Sequence, residues 1–210
     1  FRMRNGGSIS WVKSALKLSD TMTGFCIADV SGKGISAAIL MSNFQASLRA
    51  LLTSDIDLEQ LIHKLNSIVV ANAAGEKFIT FFVARYDNKT KVLEYINAAH
   101  NPPVLYNSKS GDIIHIPASC VGIGMLDEIP VVKKSEILIK GYSKLVLYTD
   151  GLSELKGDDG EDIGTKEIIR HISNNEPVAQ NIQSMIKFLG VPDTNPWLFD
   201  DVSIIVADLR

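Results

Sequence analysis

Cysteine is scarce in this chain, with two in 210 residues: Cys26 inside an apolar run and Cys120 in a loop. Without paired spacing they exclude a disulfide framework and a cysteine-ligated zinc site. They point instead to a reducing compartment, so the expected location is the cytoplasm. Long apolar runs are missing too. None reaches the ~18–20 residues of a membrane span, and no signal peptide opens the sequence, so this segment is not expected to insert into a membrane. An excess of one charge is also lacking, because 21 Lys and Arg stand against 24 Asp and Glu for a net charge of −3. That balance gives no electrostatic reason to expect nucleic acid as a partner, which would call for a basic face. Internal repeats and low-complexity segments are absent. Phe1 is not an initiator, which suggests a piece of a longer protein. What remains is an ordinary globular composition, 46% apolar and 21% charged, and a chain long enough for one large domain.

The stretch that organises the rest is Gly24-Phe25-Cys26-Ile27-Ala28-Asp29-Val30-Ser31-Gly32-Lys33-Gly34-Ile35. An apolar run of strand length ends in one carboxylate, then a glycine turn, then a helical pattern. Over 35–52 the apolar residues Ala37, Met41, Phe44, Leu48 and Leu51 recur at steps of three or four, which is one helix face. Asp29 is thereby pinned at the end of a buried strand. A carboxylate is expensive to hold there unless a positive charge meets it.

Asp57, with Gln60 three residues on, reads as a capping box opening a second helix with Leu58, Leu61, Ile62, Leu65, Ile68 and Val69 on one face. From Lys77 the pattern changes to strands at 78–86 and 92–98 around an Asp87-Asn88-Lys89-Thr90 turn, then a hairpin at 104–106 and 113–116. Further strands are predicted at 136–139, 145–148 and 203–206, and helices at 165–172 and 179–189. Pro192 and Pro196 mark a loop, and the acids at 158–162 a solvated one. The first twenty residues show no clear period. Hairpin-linked strands with helices in pairs argue for an α+β fold, antiparallel sheets with helices laid outside.

Three acids share one context. Asp29 and Asp150 end strands before glycines, and Asp200, with Asp201 beside it, begins one. If the strand ends converge, the carboxylates drive one another's protonation unless a cation intervenes. Oxygen-only ligation points to a hard divalent ion, Mg²⁺ or Mn²⁺. Two such ions ~3.5–4 Å apart generate a hydroxide nucleophile and clamp phosphoryl oxygens. Each acid alone can equally be a turn former or helix cap. Two rival motifs meet the same glycines. The phosphate loop G-x-x-x-x-G-K-[ST] needs Gly at 27 and Ser or Thr at 34, where the chain has Ile27 and Gly34. Gly32-x-Gly34-x-x-Ala37 matches the dinucleotide fingerprint, but a second helix arrives where that fold needs a second strand.

Seven blocks then come in one order: Ala28-Asp29-Val30-Ser31-Gly32-Lys33-Gly34 with Ala37-Ala38, Leu65-Asn66, Phe78-Ile79-Thr80, Asn97-Ala98-Ala99-His100-Asn101-Pro102-Pro103, Gly122-Ile123-Gly124, Tyr148-Thr149-Asp150-Gly151-Leu152-Ser153-Glu154 and Asp200-Asp201-Val202-Ser203. Together they resemble the SpoIIE/RsbU-type branch of the PPM metal-dependent serine/threonine protein phosphatases, over about residues 24–210. The resemblance implies a sandwich of two antiparallel β-sheets flanked by pairs of α-helices, forming one domain over 1–210 with a poorly matched segment at 1–23. It also implies a two-metal centre of Mg²⁺ or Mn²⁺ in which Asp29 bridges both ions, Val30 offers its carbonyl, and Asp150 and Asp200 complete the ligands. Asp29, Asp150 and Asp200 are then the catalytic set, and a metal-bridging hydroxide attacks phosphoserine or phosphothreonine directly. The substrate implied is a phosphorylated STAS-type anti-anti-sigma protein. An upstream sensor domain and a regulatory helix pair at 35–70 are implied as well, and a homodimer stays an open alternative.

The chain departs from the pattern at two places. Gly6-Gly7-Ser8 stands where the family has Gly-Gly-Asp, so Ser8 replaces an acid that supports the metals, or the segment is altered. A centre short of one carboxylate holds divalent ions more weakly, and the alternative function is a catalytically impaired phosphatase-fold binding module. Ala99 stands where Gly precedes the histidine. His100 reads as a structural turn residue, His63 and His115 as equally bland, and Lys33 as a solvated turn lysine.

Overall fold

The computed structural model describes residues 9–73, 75–153, 164–188 and 202–210. Through them the chain runs β1 (Ile9–Lys17), β2 (Met22–Val30), α1 (Ile35–Leu51), α2 (Leu58–Ala73), β3 (Ile79–Asp87), β4 (Val92–Ala98), β5 (Val104–Asn107) and β6 (Ile113–His115). It continues through β7 (Ser135–Leu138), β8 (Ser143–Tyr148), α3 (Asp150–Ser153), α4 (Gly164–Ile172), α5 (Val178–Phe188) and β9 (Ile204–Leu209). One sheet has the order β1-β2-β3-β4-β7 and the other β6-β5-β8-β9. Every neighbouring pair is antiparallel, as the hairpin grammar predicts.

Strand alternation sets the layers. Along β2, Cys26, Ala28 and Val30 pack in a cluster with α1 and α2, while Phe25 and Ile27 pack with Leu145, Leu147 and Ile205 of the other sheet. Successive side chains leave a strand on opposite faces, so β2 seals two interfaces at once. On the far side, Val146 and Tyr148 of β8 meet Leu152, Ile168, Ile172 and Met185 from α3, α4 and α5. The order of layers is helices, sheet, sheet, helices. Strands buried on both faces carry no polar alternation, which is why 24–30 and 78–86 read as plain apolar runs.

The helix signals hold in detail. α1 buries Ala37, Leu40, Met41, Phe44 and Leu48, with the Phe44 ring edge-on to Phe81 at 5.1 Å. Asp57 caps α2, its Oδ1 accepting from the N–H groups of Glu59 (2.9 Å) and Gln60 (3.2 Å). The first segment differs from its reading, because β1 is a strand. Its pairing with β2 shifts register between Lys13 and Leu16, and such a bulge breaks the two-residue alternation that would have marked it. The acids of 158–162, together with Pro192 and Pro196, lie outside the described residues.

Two charged groups are buried without any period to announce them. Lys144 of β8 donates to the carbonyls of Ile172 (3.3 Å) and Asn174 (3.0 Å) and to the side-chain oxygens of Asn174 (2.9 Å) and Asn181 (2.6 Å). It places a cation at the C-terminal end of α4, where the helix dipole is negative. Arg85 of β3 donates to the carbonyls of Ser54 (3.0 Å) and Ile56 (2.6 Å) and so holds the α1–α2 connection. Its other nitrogen meets Glu94 at 2.7 Å, and Lys134 meets the second Glu94 oxygen at 3.1 Å. Burial raises the Glu94 pKa, but the bonds and charges of Arg85 and Lys134 outweigh it and leave it below its ordinary 4.5.

A folded-state pKa below the unfolded one contributes stability that is present above pH 4.5 and lost as the pH falls through the lowered value. Glu94→Gln is expected to lower stability by about 1–3 kcal/mol at neutral pH, the range for hydrogen bonds to charged groups. In urea unfolding the gap between the wild type and the variant is expected to narrow as the pH falls from about 7 through 4.5 and below. A gap that stays constant across that range contradicts the assignment.

Candidate metal centre

Phase decides where Asp29 points. Phe25 and Ile27 face the second sheet, so Asp29, two residues further along, shares their side of the strand. On β3, Phe82 and Ala84 face the same way, and Thr80 completes that row. Asp29 and Thr80 are direct cross-strand partners. The gap between the sheets, apolar further in, thus ends in a carboxylate and a hydroxyl. Asp29 is half-buried and its Oδ1 is closed off from solvent. On the other edge of β2, the register sets Ser10 opposite Asp29 and Ile9 opposite Val30; Ser8 lies outside the described residues.

The turn after Asp29 is tied down by its own sequence. Ser31 N–H donates to the Phe78 carbonyl (2.9 Å), and Phe78 N–H donates back to Ser31 Oγ (2.8 Å). Gly32 (φ 82°) and Gly34 (φ 88°) then reverse the chain in the left-handed half of the map, which glycine occupies without a Cβ clash. Lys33 between them is exposed, in keeping with a solvated turn lysine.

On the second sheet, β8 delivers Asp150 as the first residue of α3, its Oδ1 accepting from Gly151 N–H at 2.9 Å. Thr149, fully buried, donates its N–H to the Ser203 carbonyl (3.1 Å), and its Oγ1 accepts from Ser203 N–H (2.9 Å). This reciprocal pair docks the lead-in to β9 beside Asp150. Asp200 and Asp201, just before this segment in the sequence, lie outside the described residues. Among the described residues no group of three or more His, Cys, Asp or Glu is placed to hold a metal. The part of the predicted set in view is Asp29, Val30 and Asp150.

A single imidazole joins the two halves. His100 is buried, with Nδ1 3.0 Å from Thr80 Oγ1 and Nε2 3.2 Å from the Tyr148 carbonyl. A carbonyl only accepts, so Nε2 carries the proton and Nδ1 accepts from the Thr80 hydroxyl. Burial pushes the His100 pKa down to about 4, against the pull of the Tyr148 carbonyl, and the ring is neutral. The turn reading of His100 is incomplete for this reason: it is also a buried polar link between the sheets. Ala99 before it has φ 53°, in the left-handed region where a Gly would sit more easily.

Another pair of sequence blocks also meets in space. Asn66, buried on α2, donates to the carbonyls of Leu126 and Asp127 (3.0 Å each), and its Oδ1 accepts from Gly124 N–H (2.7 Å). This pins the Gly122–Gly124 turn, where Ile123 exchanges both backbone bonds with Ile79 at 2.8 Å, the residue across from Val30. Asn66 therefore braces the edge of the same site from the helix side. His63 and His115 are exposed.

The chemistry of the donors fits a hard divalent cation. Carboxylate and carbonyl oxygens are on offer, both His100 nitrogens are engaged, and the Cys120 thiol is pushed up to about 11 by burial. Residues 19–210 match the family model described as Stage II sporulation protein E (SpoIIE). The chain belongs to the SpoIIE family.

Among curated SpoIIE-type relatives, phosphoserine phosphatase RsbU of Bacillus subtilis is 29% identical over 187 residues, covering 86% of this chain and 53% of RsbU. The chain thus spans about half the length of that relative. The PP2C phosphatase domain of SpoIIE from Bacillus subtilis superposes with a TM-score of 0.72 at 16% identity, covering 95% of this chain and 57% of that one. RsbX, crystallised in complex with magnesium, gives a TM-score of 0.70 at 17% identity over 98% of this chain and 88% of that one. At these identities the structures establish a common fold, the two-sheet sandwich with helices outside.

The His100 pKa is lowered from 6.5 to about 4, so its stabilising effect is present above pH 6.5 and lost as the pH falls toward 4. Relative to His100→Asn, which cannot titrate, the wild type is expected to lose about 2 kcal/mol of its advantage between about pH 7.5 and pH 4.5. Urea unfolding of both proteins at the two pH values checks this. An unchanged difference contradicts a buried neutral ring.

Proposed function

We propose that this chain is a metal-dependent phosphatase domain that hydrolyses phosphoserine or phosphothreonine on a partner protein in the cytoplasm. The observation that carries the reading is the meeting of strand ends: the reciprocal Thr149–Ser203 bonds hold the start of the last strand beside the Thr149-Asp150 step, within a chain that matches the SpoIIE family over 19–210. In this reading Asp29, Asp150 and Asp200 hold Mg²⁺ or Mn²⁺, two ions in the full centre, and the Val30 carbonyl assists. Divalent cations there supply Lewis acidity, acidifying water and neutralising charge on the phosphoryl group.

The chain's own part is positioning. Asp29 stands at the mouth of an apolar gap, where Coulomb interactions with a cation are stronger than on open surface. Ser31, Gly32 and Gly34 reverse the backbone directly after the Asp29 strand. Water adds to phosphorus, the ester bond breaks, and the serine or threonine oxygen leaves as a hydroxyl. The partner proposed is a STAS-type protein, supported by the likeness to RsbU. Also supporting it is a structure of RsbU and RsbW domains, matched with a TM-score of 0.72 at 21% identity. Helices α1 and α2, directly behind the Asp29 strand, are the proposed regulatory element under an upstream sensor domain. A second reading, a binding module with an impaired centre, is favoured by Ser8 standing where the family pattern has an acid.

Phosphate release from a phosphoserine protein in millimolar Mn²⁺ separates the two. Asp150→Asn is expected to lower the rate by roughly 100-fold or more with the fold intact by circular dichroism. Wild-type protein without metal-dependent release contradicts the phosphatase reading and favours the module.

A further inference from the structure

We propose that His100 is a positioning residue for the centre, an imidazole strut that sets the distance between the sheet bearing Asp29 and the sheet bearing Asp150. The inference rests on the metal-centre reading above, and its grounds are geometric. An imidazole is rigid, with nitrogens on opposite edges. One edge of His100 holds Thr80 Oγ1 at 3.0 Å and the other the Tyr148 carbonyl at 3.2 Å. Thr80 is the cross-strand partner of Asp29, and the Tyr148 carbonyl is the end of β8, directly before the Thr149-Asp150 step.

The strut is itself anchored. The His100 N–H donates to Asn97 Oδ1 (2.8 Å), and the buried Asn97 donates from Nδ2 to the Ile116 carbonyl (3.2 Å). Tyr148, whose carbonyl receives the ring, sends its own hydroxyl to the Pro102 carbonyl (3.0 Å). The 97–102 segment therefore grips β8 from two directions. Ala99 keeps its left-handed backbone in the middle of this grip (φ 53°), a conformation that persists only where surrounding contacts impose it.

The need for a strut follows from the charges. Further in, the sheets are spaced by Phe25, Ile27, Phe82, Leu145 and Leu147. At the Asp29 end that apolar row stops, and on the metal-centre reading ionised carboxylates on facing sheets repel one another until a cation binds. A neutral ring with a fixed span resists the push without adding charge. The ligands are then spaced before any cation arrives, which raises affinity by preorganisation.

Calorimetric titration of the metal-free protein with Mn²⁺ tests this, using His100→Leu, Thr80→Val, the hydroxyl-keeping Thr80→Ser, and Leu93→Ala. The last loosens the core between the sheets at the other end of β3, where buried Leu93 pairs with Tyr86, and controls for lost stability. His100→Leu and Thr80→Val are expected to weaken Mn²⁺ binding ~10–100-fold, the usual effect of losing a group that orients ligands. Thr80→Ser and Leu93→Ala are expected to bind as the wild type does. Folded Thr80→Val and His100→Leu with wild-type affinity overturn the strut and leave the metal centre standing. Where His100→Leu fails to fold, the Thr80 pair decides. A wild type that binds no Mn²⁺ ends the metal reading and the strut with it. Ring ¹⁵N spectra give an independent check: a proton on Nε2 supports the bridge, and one on Nδ1 overturns it.

Discussion

The molecule depends on how two apolar sheets end together at a polar mouth. Their shared interior is held by hydrophobic burial, which has no directional preference and cannot by itself fix spacing at an open edge. Hydrogen bonds can, and the structure uses them there. The His100 ring, the Thr149–Ser203 pair and the Ser31–Phe78 pair all lie where the apolar row stops. Each group is engaged on both sides, as buried polar groups require if they are not to destabilise the fold. Directional bonds take over from non-directional packing at the point where chemistry needs a fixed geometry.

That division of labour explains what was legible in the amino-acid sequence. Periodicity reports burial, so the α1 stripe from Ala37 to Leu48 and the run over β3 could be read with boundaries within a residue or two, and the α2 face as far as Val69 of a helix that runs on to Ala73. Turn chemistry reports backbone conformation, so Gly32 and Gly34 marked a reversal and Asp57 a helix cap. Neither kind of signal says which distant residues touch. His100 looked like one more turn residue because its partners, Thr80 and the Tyr148 carbonyl, lie 20 and 48 positions away. Lys144 and Arg85 were silent for the same reason: a lone charge in an apolar run carries no period, and its acceptors are carbonyls set by tertiary packing. β1 failed differently, since a bulge removed the alternation on which strand recognition rests.

The candidate site was inferred from a coincidence of strand ends. Asp29, Asp150 and Asp200 share no local pattern, yet in the amino-acid sequence each stands where a predicted strand meets a turn, and in a sandwich such ends can gather on one rim. Among the described residues, hydrogen bonds tie some of these segments together. Thr80 links the Asp29 strand to His100, His100 links to β8, and Ser203 links the last strand to Thr149. The blocks that carry the resemblance to the SpoIIE family are the segments that make these links, which gives a physical reason for their residue types. Asn66 and the Gly122–Gly124 turn belong to the same set, bracing the rim from the helix layer.

The most direct measurement is anomalous diffraction from crystals of the protein grown with Mn²⁺. The account predicts manganese peaks at the rim between the sheets, bounded by the carboxylates of Asp29, Asp150 and Asp200. Peaks elsewhere, or an Asp200 side chain on a separate face of the protein, would contradict it.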